Sequence, residues 1–137
     1  MIILDTNVIS EVMRVRPSVA VTGWLDDCDP TSLYLTAITV QELTFGVAAL
    51  PEGKRKSGLS RAIETILATD FAGRILPYDE AAARHYGTSL AEARRRGLVI
   101  SVADAQIAAI ALSRDVPVAT RDHTPFAALG VEVIDPF

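Results

Sequence analysis

The sequence predicts an α/β domain, a parallel β-sheet with helices on both faces. Short β-rich runs alternate with longer helical patterns along the whole chain. The runs are apolar throughout, as in strands buried on both faces, instead of alternating as in a sheet with one face in water. At 137 residues the chain has room for one such core and no second domain.

The elements follow in order. Met1–Leu4 reads as a buried strand, and Asn7–Arg14 and Val19–Asp27 have helical spacing or composition. Leu33–Thr36 is the second strand and Thr39–Leu50 the helix after it. Pro51-Glu52-Gly53 breaks the chain before a helix over Lys54–Thr69. Ile75–Leu76 is a third strand. The helix Glu80–Arg96 carries three arginines in its last turn and stops at Gly97. Val102–Ser113 is a helix, and Val116–Thr120 and Val131–Ile134 are the last strands. No repeat, low-complexity tract or linker interrupts this order.

Half the residues are apolar and 22% are charged, a folding composition. Lys plus Arg number 13 against 17 Asp plus Glu, a net charge of −4, which excludes a protein that grips nucleic acid through a generally basic surface. Only Lys54 and Lys56 are lysines; the other positive charges are arginines, suited to bidentate phosphate or carboxylate contacts. Cys28 stands alone, so no internal disulfide forms, and with only His85 and His123 beside it no Cys/His zinc site can be assembled. Met1-Ile2-Ile3-Leu4-Asp5 has no positive n-region and no uncharged stretch is long enough to span a bilayer, so a cytoplasmic protein without membrane contact is expected.

Four acids stand where helices begin. Asp5 directly follows the first strand, and Glu42 lies in the first turn of the helix after the second, in Thr39-Val40-Gln41-Glu42. Asp104 sits in the first turn of an otherwise apolar helix, in Ser101-Val102-Ala103-Asp104, and Asp122 follows Val118-Ala119-Thr120-Arg121. In a parallel sheet all four face the edge where ligands bind. Each alone has a structural explanation: Asp5 and Asp122 as N-caps, Thr39-x-x-Glu42 and Ser101-x-x-Asp104 as capping boxes. Together they are harder to explain this way, because two carboxylates 4 Å apart repel by roughly 4 kcal/mol at an effective dielectric near 20. No lysine lies near a strand end to neutralise them. Mg²⁺ or Mn²⁺ takes oxygen ligands and keeps waters for a phosphate substrate, so the all-carboxylate inventory favours metal-assisted phosphodiester hydrolysis. Thr6, Asn7 and Thr120 suit the orienting of the carboxylates.

Ile3-Leu4-Asp5-Thr6-Asn7, Thr39-Val40-Gln41-Glu42-Leu43, Val102-Ala103-Asp104-Ala105-Gln106-Ile107-Ala108-Ala109, and Val118-Ala119-Thr120-Arg121-Asp122 with Phe126 resemble the PIN-domain nucleases. Within them the chain is most similar to the VapC/FitB-like toxins of bacterial type II toxin–antitoxin pairs. The resemblance runs over residues 1–137, with every motif in order and spacing. It implies a single PIN domain acting as a Mg²⁺- or Mn²⁺-dependent endoribonuclease, with Asp5, Glu42, Asp104 and Asp122 as metal-binding acids. It also implies an RNA substrate, a homodimer, and a cognate antitoxin that blocks the active site and binds operator DNA, so that DNA is met only through the antitoxin. Many relatives carry an acid where this chain has Pro125, so one metal ion is expected and a second is left open.

The remaining features carry alternative readings. Arg94-Arg95-Arg96 either complements the negative end of its helix or contacts RNA or an acidic antitoxin. Lys54-Arg55-Lys56 is either a solvated helix start or a phosphate-contacting patch. Arg121 either touches substrate phosphate or pairs with one of the four acids. Trp24, with Val21, Leu25 and Cys28 at helical spacing, reads as core or subunit contact, and Tyr34 and Phe45 read as core. No P-loop, Gly-x-Gly-x-x-Gly or Gly-x-Ser-x-Gly occurs. Phosphoryl transfer through an aspartate lacks both Asp-x-Asp and a lysine at a strand end. Two other functions stay open: a regulatory module whose acids only receive a partner's arginine, and a structure-specific DNase.

Overall fold

The computed structural model describes residues 1–137. Five strands, β1 (Ile2–Leu4), β2 (Leu33–Thr36), β3 (Ile75–Leu76), β4 (Val118–Ala119) and β5 (Val133–Ile134), form one sheet in the order β3-β2-β1-β4-β5. Every neighbouring pair is parallel. The chain builds outward from β1 to β3, then returns to lay β4 on the other side of β1. The strand order therefore reverses between β1 and β4, which opens a crevice beyond their carboxyl ends. β4 and β5 are shorter than the predicted Val116–Thr120 and Val131–Ile134. Pairing nevertheless reaches past them, since Ile3 N–H donates to Pro117 O and Thr120 N–H to Ile134 O.

Seven helices cover the sheet. α1 (Thr6–Val12), α2 (Val19–Asp27), α3 (Ala37–Ala48) and α4 (Lys54–Thr65) pack on one face, and α5 (Glu80–Arg95), α6 (Val102–Arg114) and α7 (His123–Ala128) on the other. The period of two along a strand divides the cores: Ile3 and Val118 enter the α5–α7 side, while Leu4 and Ala119 enter the α1–α4 side. Buried alanines at 105, 108, 109 and 111 let α6 lie close against α5 and the sheet. No helix is long and apolar enough to cross a membrane.

Several boundaries differ from expectation for local reasons. α3 starts two residues early, because the Thr36 hydroxyl accepts the Thr39 N–H at 3.1 Å and caps it. Thr39-x-x-Glu42 is therefore no capping box, and Glu42 stands in the second turn. The helix predicted over Lys54–Thr69 is α-helical only to Thr65, after which Ile66–Asp70 widens into a π-turn. α7 went unpredicted; its six residues are too few to show a period. Phe45 is 73% exposed and is not core. It lies about 200° around the helix from Leu43 and from Val47, both of which face inward. Tyr34 is half-buried against the α5–α7 core, and Trp24, Leu25 and Cys28 pack against the other.

Candidate metal centre

The site grows from the carboxyl ends of β1 and β4. Asp5 leaves β1 directly and is 4% exposed. Because β4 lies beside β1, Thr120 stands next to it, and its hydroxyl donates to Asp5 Oδ2 at 2.8 Å. The Thr6 N–H donates to Asp5 Oδ1 at 2.7 Å, and Asn7 Nδ2 lies 3.3 Å from Oδ2. The same Thr120 hydroxyl accepts Asn7 Nδ2 at 2.9 Å and the Asp122 N–H at 3.0 Å. Asn7 Nδ2 also lies 3.3 Å from Asp122 Oδ2. On the opposite side the Thr6 hydroxyl donates to Glu42 Oε1 at 2.7 Å. Thr6, Asn7 and Thr120 thus bond to three of the four acids, the orienting part for which their chemistry suits them.

Asp104 reaches the same edge by another route. α6 is preceded by α5 and a loop, not by a strand, and its first turn arrives through packing against α5. Ser101 caps it, accepting the Asp104 N–H at 3.2 Å. The four acids line one pocket of about 460 Å³, and none of its ten lining residues is hydrophobic.

The electrostatics are those of an uncompensated cluster. Burial, more than any other effect, pushes the Asp5 carboxyl up to about 6; bonds from Thr120 and Thr6 pull it down, while the charges of Asp104 and Glu42 push it further up. Burial also raises Asp104, opposed by the Ser101 bond and reinforced by the charge of Asp122. Capping accounts for part of this set only. Asp122 occupies the N-cap of α7 yet makes no side-chain cap bond there, and Glu42 lies beyond the first turn of α3.

The donor set fits a hard divalent cation. All the candidate ligands are oxygens, and Asn7 Oδ1 is buried beside them with no hydrogen-bond partner. As arranged, no three acidic, His or Cys side chains converge on one ion position. An ion held by one or two of these carboxylates would have to complete its shell with water and substrate phosphate, as Mg²⁺ commonly does.

Three lining residues escaped the sequence reading: Ser10, Glu11 and Arg14. Glu11 is 5% exposed and accepts Arg14 Nη1 at 3.3 Å, Arg121 Nη2 at 3.4 Å and the Ser18 N–H at 2.9 Å. Arg121 therefore pairs with an acid outside the expected four. A usable signal existed, since Glu11 is four residues after Asn7 and three after Val8, a charge on the buried stripe of α1. Elsewhere Arg94 and Arg95 occupy the last turn of α5, where the helix dipole favours them. Lys56 is tied to Glu52 at 2.7 Å and to Ala48 O at 3.2 Å. His123 pairs with Asp135.

The sequence profile of the PIN domain matches residues 2–131. The chain belongs to the PIN-domain family. Over all 137 residues this PIN domain is 47% identical to VapC ribonuclease Y4jK of Sinorhizobium fredii, covering 98% of that protein. It is 46% identical to Toxin FitB of Neisseria gonorrhoeae over the same length, covering 99% of it. In three dimensions it matches the structure of FitAB bound to an IR36 DNA fragment, with a TM-score of 0.93, 46% identity, and coverage of 99% of this chain and 95% of the other. A PIN domain of the VapC/FitB type is thus what the opening motifs led to.

Proposed function

We propose that this PIN domain is the toxin of a type II toxin–antitoxin pair and a Mg²⁺- or Mn²⁺-dependent endoribonuclease acting in the cytoplasm. The observation that carries this is the meeting of Asp5, Glu42, Asp104 and Asp122 in one pocket, lined by no hydrophobic residue, at the switch point of the sheet. Asp5 and Asp104 are assigned as direct ligands of one ion, with Glu42 and Asp122 facing its shell of bound water. An ion held there lowers the pKa of an attacking water and offsets charge on the scissile phosphate. Thr120 and Asn7 tie Asp5 and Asp122 to shared partners, and Thr6 fixes Glu42, so these carboxylates do not have to reorganise when substrate arrives. By likeness to the toxin and the DNA-bound assembly above, the partner is a DNA-binding antitoxin, the protein pairs as a homodimer, and contact with operator DNA runs through the antitoxin.

Purified protein is expected to cleave cellular RNA with Mn²⁺ or Mg²⁺ and to stop in EDTA. Asp5→Asn should lower cleavage by more than about a hundredfold, the upper end for loss of a mere outer-shell group. Full activity in an Asp5→Ala, Asp104→Asn double variant would sink the assignment. Cleavage of structured DNA without any RNA cleavage would move it to a DNase. Sequencing RNA 5′ ends after brief induction, with an Asp5→Ala control, would identify the target.

A further inference from the structure

We propose that Glu11, Arg14 and Arg121 form a phosphate-holding subsite beside the acid pocket, which takes the RNA phosphate adjoining the scissile one. The identity of the polyanion rests on the ribonuclease reading; the subsite itself rests on geometry. Asp5 and Glu11 are the only charged residues buried in the molecule, and the role of Asp5 is already accounted for. Glu11 faces two guanidiniums at 3.3 and 3.4 Å, so the trio carries one excess positive charge. Burial alone would raise the Glu11 carboxyl, but the Ser18 N–H, Arg14 and Arg121 outweigh it and hold it below its ordinary value, so it stays an anchoring anion.

The arginines are held but not used up. The Arg121 guanidinium lies over the Phe137 ring, 4.3 Å from its centroid, which fixes its plane. Their side chains remain 65% and 51% exposed, so most of their N–H donors are free. A buried carboxylate needs a partner, but the Ser18 N–H and one guanidinium already balance Glu11, so the second arginine exceeds what the fold tie requires. Preorganised guanidiniums are, by contrast, what a phosphate needs. Both line the same pocket as the four acids, where a polyanion otherwise meets only negative charge. Beyond Ser10 and Arg14 a second groove continues with Arg16 and Arg55, extending the positive track away from the acids.

The test measures anisotropy of a short fluorescein-labelled single-stranded RNA on the Asp5→Asn protein, which binds without cutting. Adding Arg14→Ala or Arg121→Ala should each weaken binding about tenfold, the loss of one charge-assisted contact. Each should also flatten the logarithmic salt dependence by about 0.7. Arg121→Lys should recover part of the loss. Glu11→Gln, which keeps an acceptor for Ser18, should weaken binding by releasing both guanidiniums. Arg84→Ala, on an exposed pair with Glu80 along α5, should bind like the parent. Equal affinity and salt slope in the Arg14 and Arg121 variants, or no RNA binding by the parent, overturns the subsite. Should Arg121→Ala fail to fold, Arg14→Ala decides alone. Cleavage by the unsubstituted chain is scored separately: no cleavage of any RNA removes the ribonuclease reading, whereas cleavage with unaltered arginine variants removes only the subsite.

Discussion

Thr120 shows how much a single hydroxyl does in this site. It is fully buried, donates to Asp5 and accepts from Asn7 and from the Asp122 backbone. Thr120→Val keeps the shape and leaves three polar groups short of a partner. It should cost about 1–3 kcal/mol in urea unfolding and lower cleavage by roughly 10–100-fold, with Thr120→Ser close to the parent. Asp5 gives the pH dependence. Its carboxyl ordinarily titrates near 3.8 and here near 6, so between those values the folded state keeps a proton the unfolded chain has released. Stability from this group is therefore highest below about pH 4 and falls as pH rises to about 6, by at most about 3 kcal/mol. In EDTA, unfolding curves of the parent should decline relative to Asp5→Asn across that window; parallel curves would contradict the burial cost. The four candidate acids were legible because they recur at helix starts, whereas for Glu11 only its place on the buried stripe of α1 and Arg14 three residues on are local; Ser18 and Arg121 lie 7 and 110 residues away.

At the scale of elements, the ends decide more than the middles. α6 terminates at Asp115, a non-glycine residue in the left-handed region with φ 53°. That conformation costs an L-residue roughly 1–2 kcal/mol, part of which glycine returns through its more flexible unfolded chain. Asp115→Gly, far from the acids in sequence, should raise stability by about 0.5–1 kcal/mol in chemical denaturation; a loss would show that the Asp115 side chain has an unseen role. The strand runs and the long helices were legible because their apolar composition and period are local properties. The early start of α3 was less so, since either Thr36 or Thr39 can cap a helix and only the Leu33–Thr36 pairing shows where the extended chain ends. Capping by Thr36 moves Glu42 out of the first turn, which removes its structural explanation.

For the whole molecule the central quantity is charge. Setting aside the four site acids (17 less 4) leaves 13 negative charges against 13 positive ones, so the net charge of −4 equals that of the proposed site. The protein should therefore not hold RNA by bulk charge, but through bound cations with arginines beside them. A cation that binds only the folded, deprotonated site stabilises the whole domain, by about 3 kcal/mol at a hundredfold excess over Kd. Thermal scans should show Mn²⁺ raising Tm more at pH 7.5 than at pH 5, where Asp5 is largely protonated. An equal rise in the Asp5→Ala, Asp104→Asn variant would show that the ion binds elsewhere.

The residue order by itself determined the α/β class, the parallel sheet and the family, and it singled out four candidate acids, because apolar period, turn chemistry and motif spacing are written along the chain. Only the tertiary structure decided how those acids meet. The reversal of strand order between β1 and β4 sets Thr120 against Asp5, and α5–α6 packing delivers Asp104. The fold also brings Arg121 across to Glu11. Those contacts join residues up to 115 positions apart. No local rule carries such a pairing; it follows from which strands lie side by side once both faces of the sheet are buried.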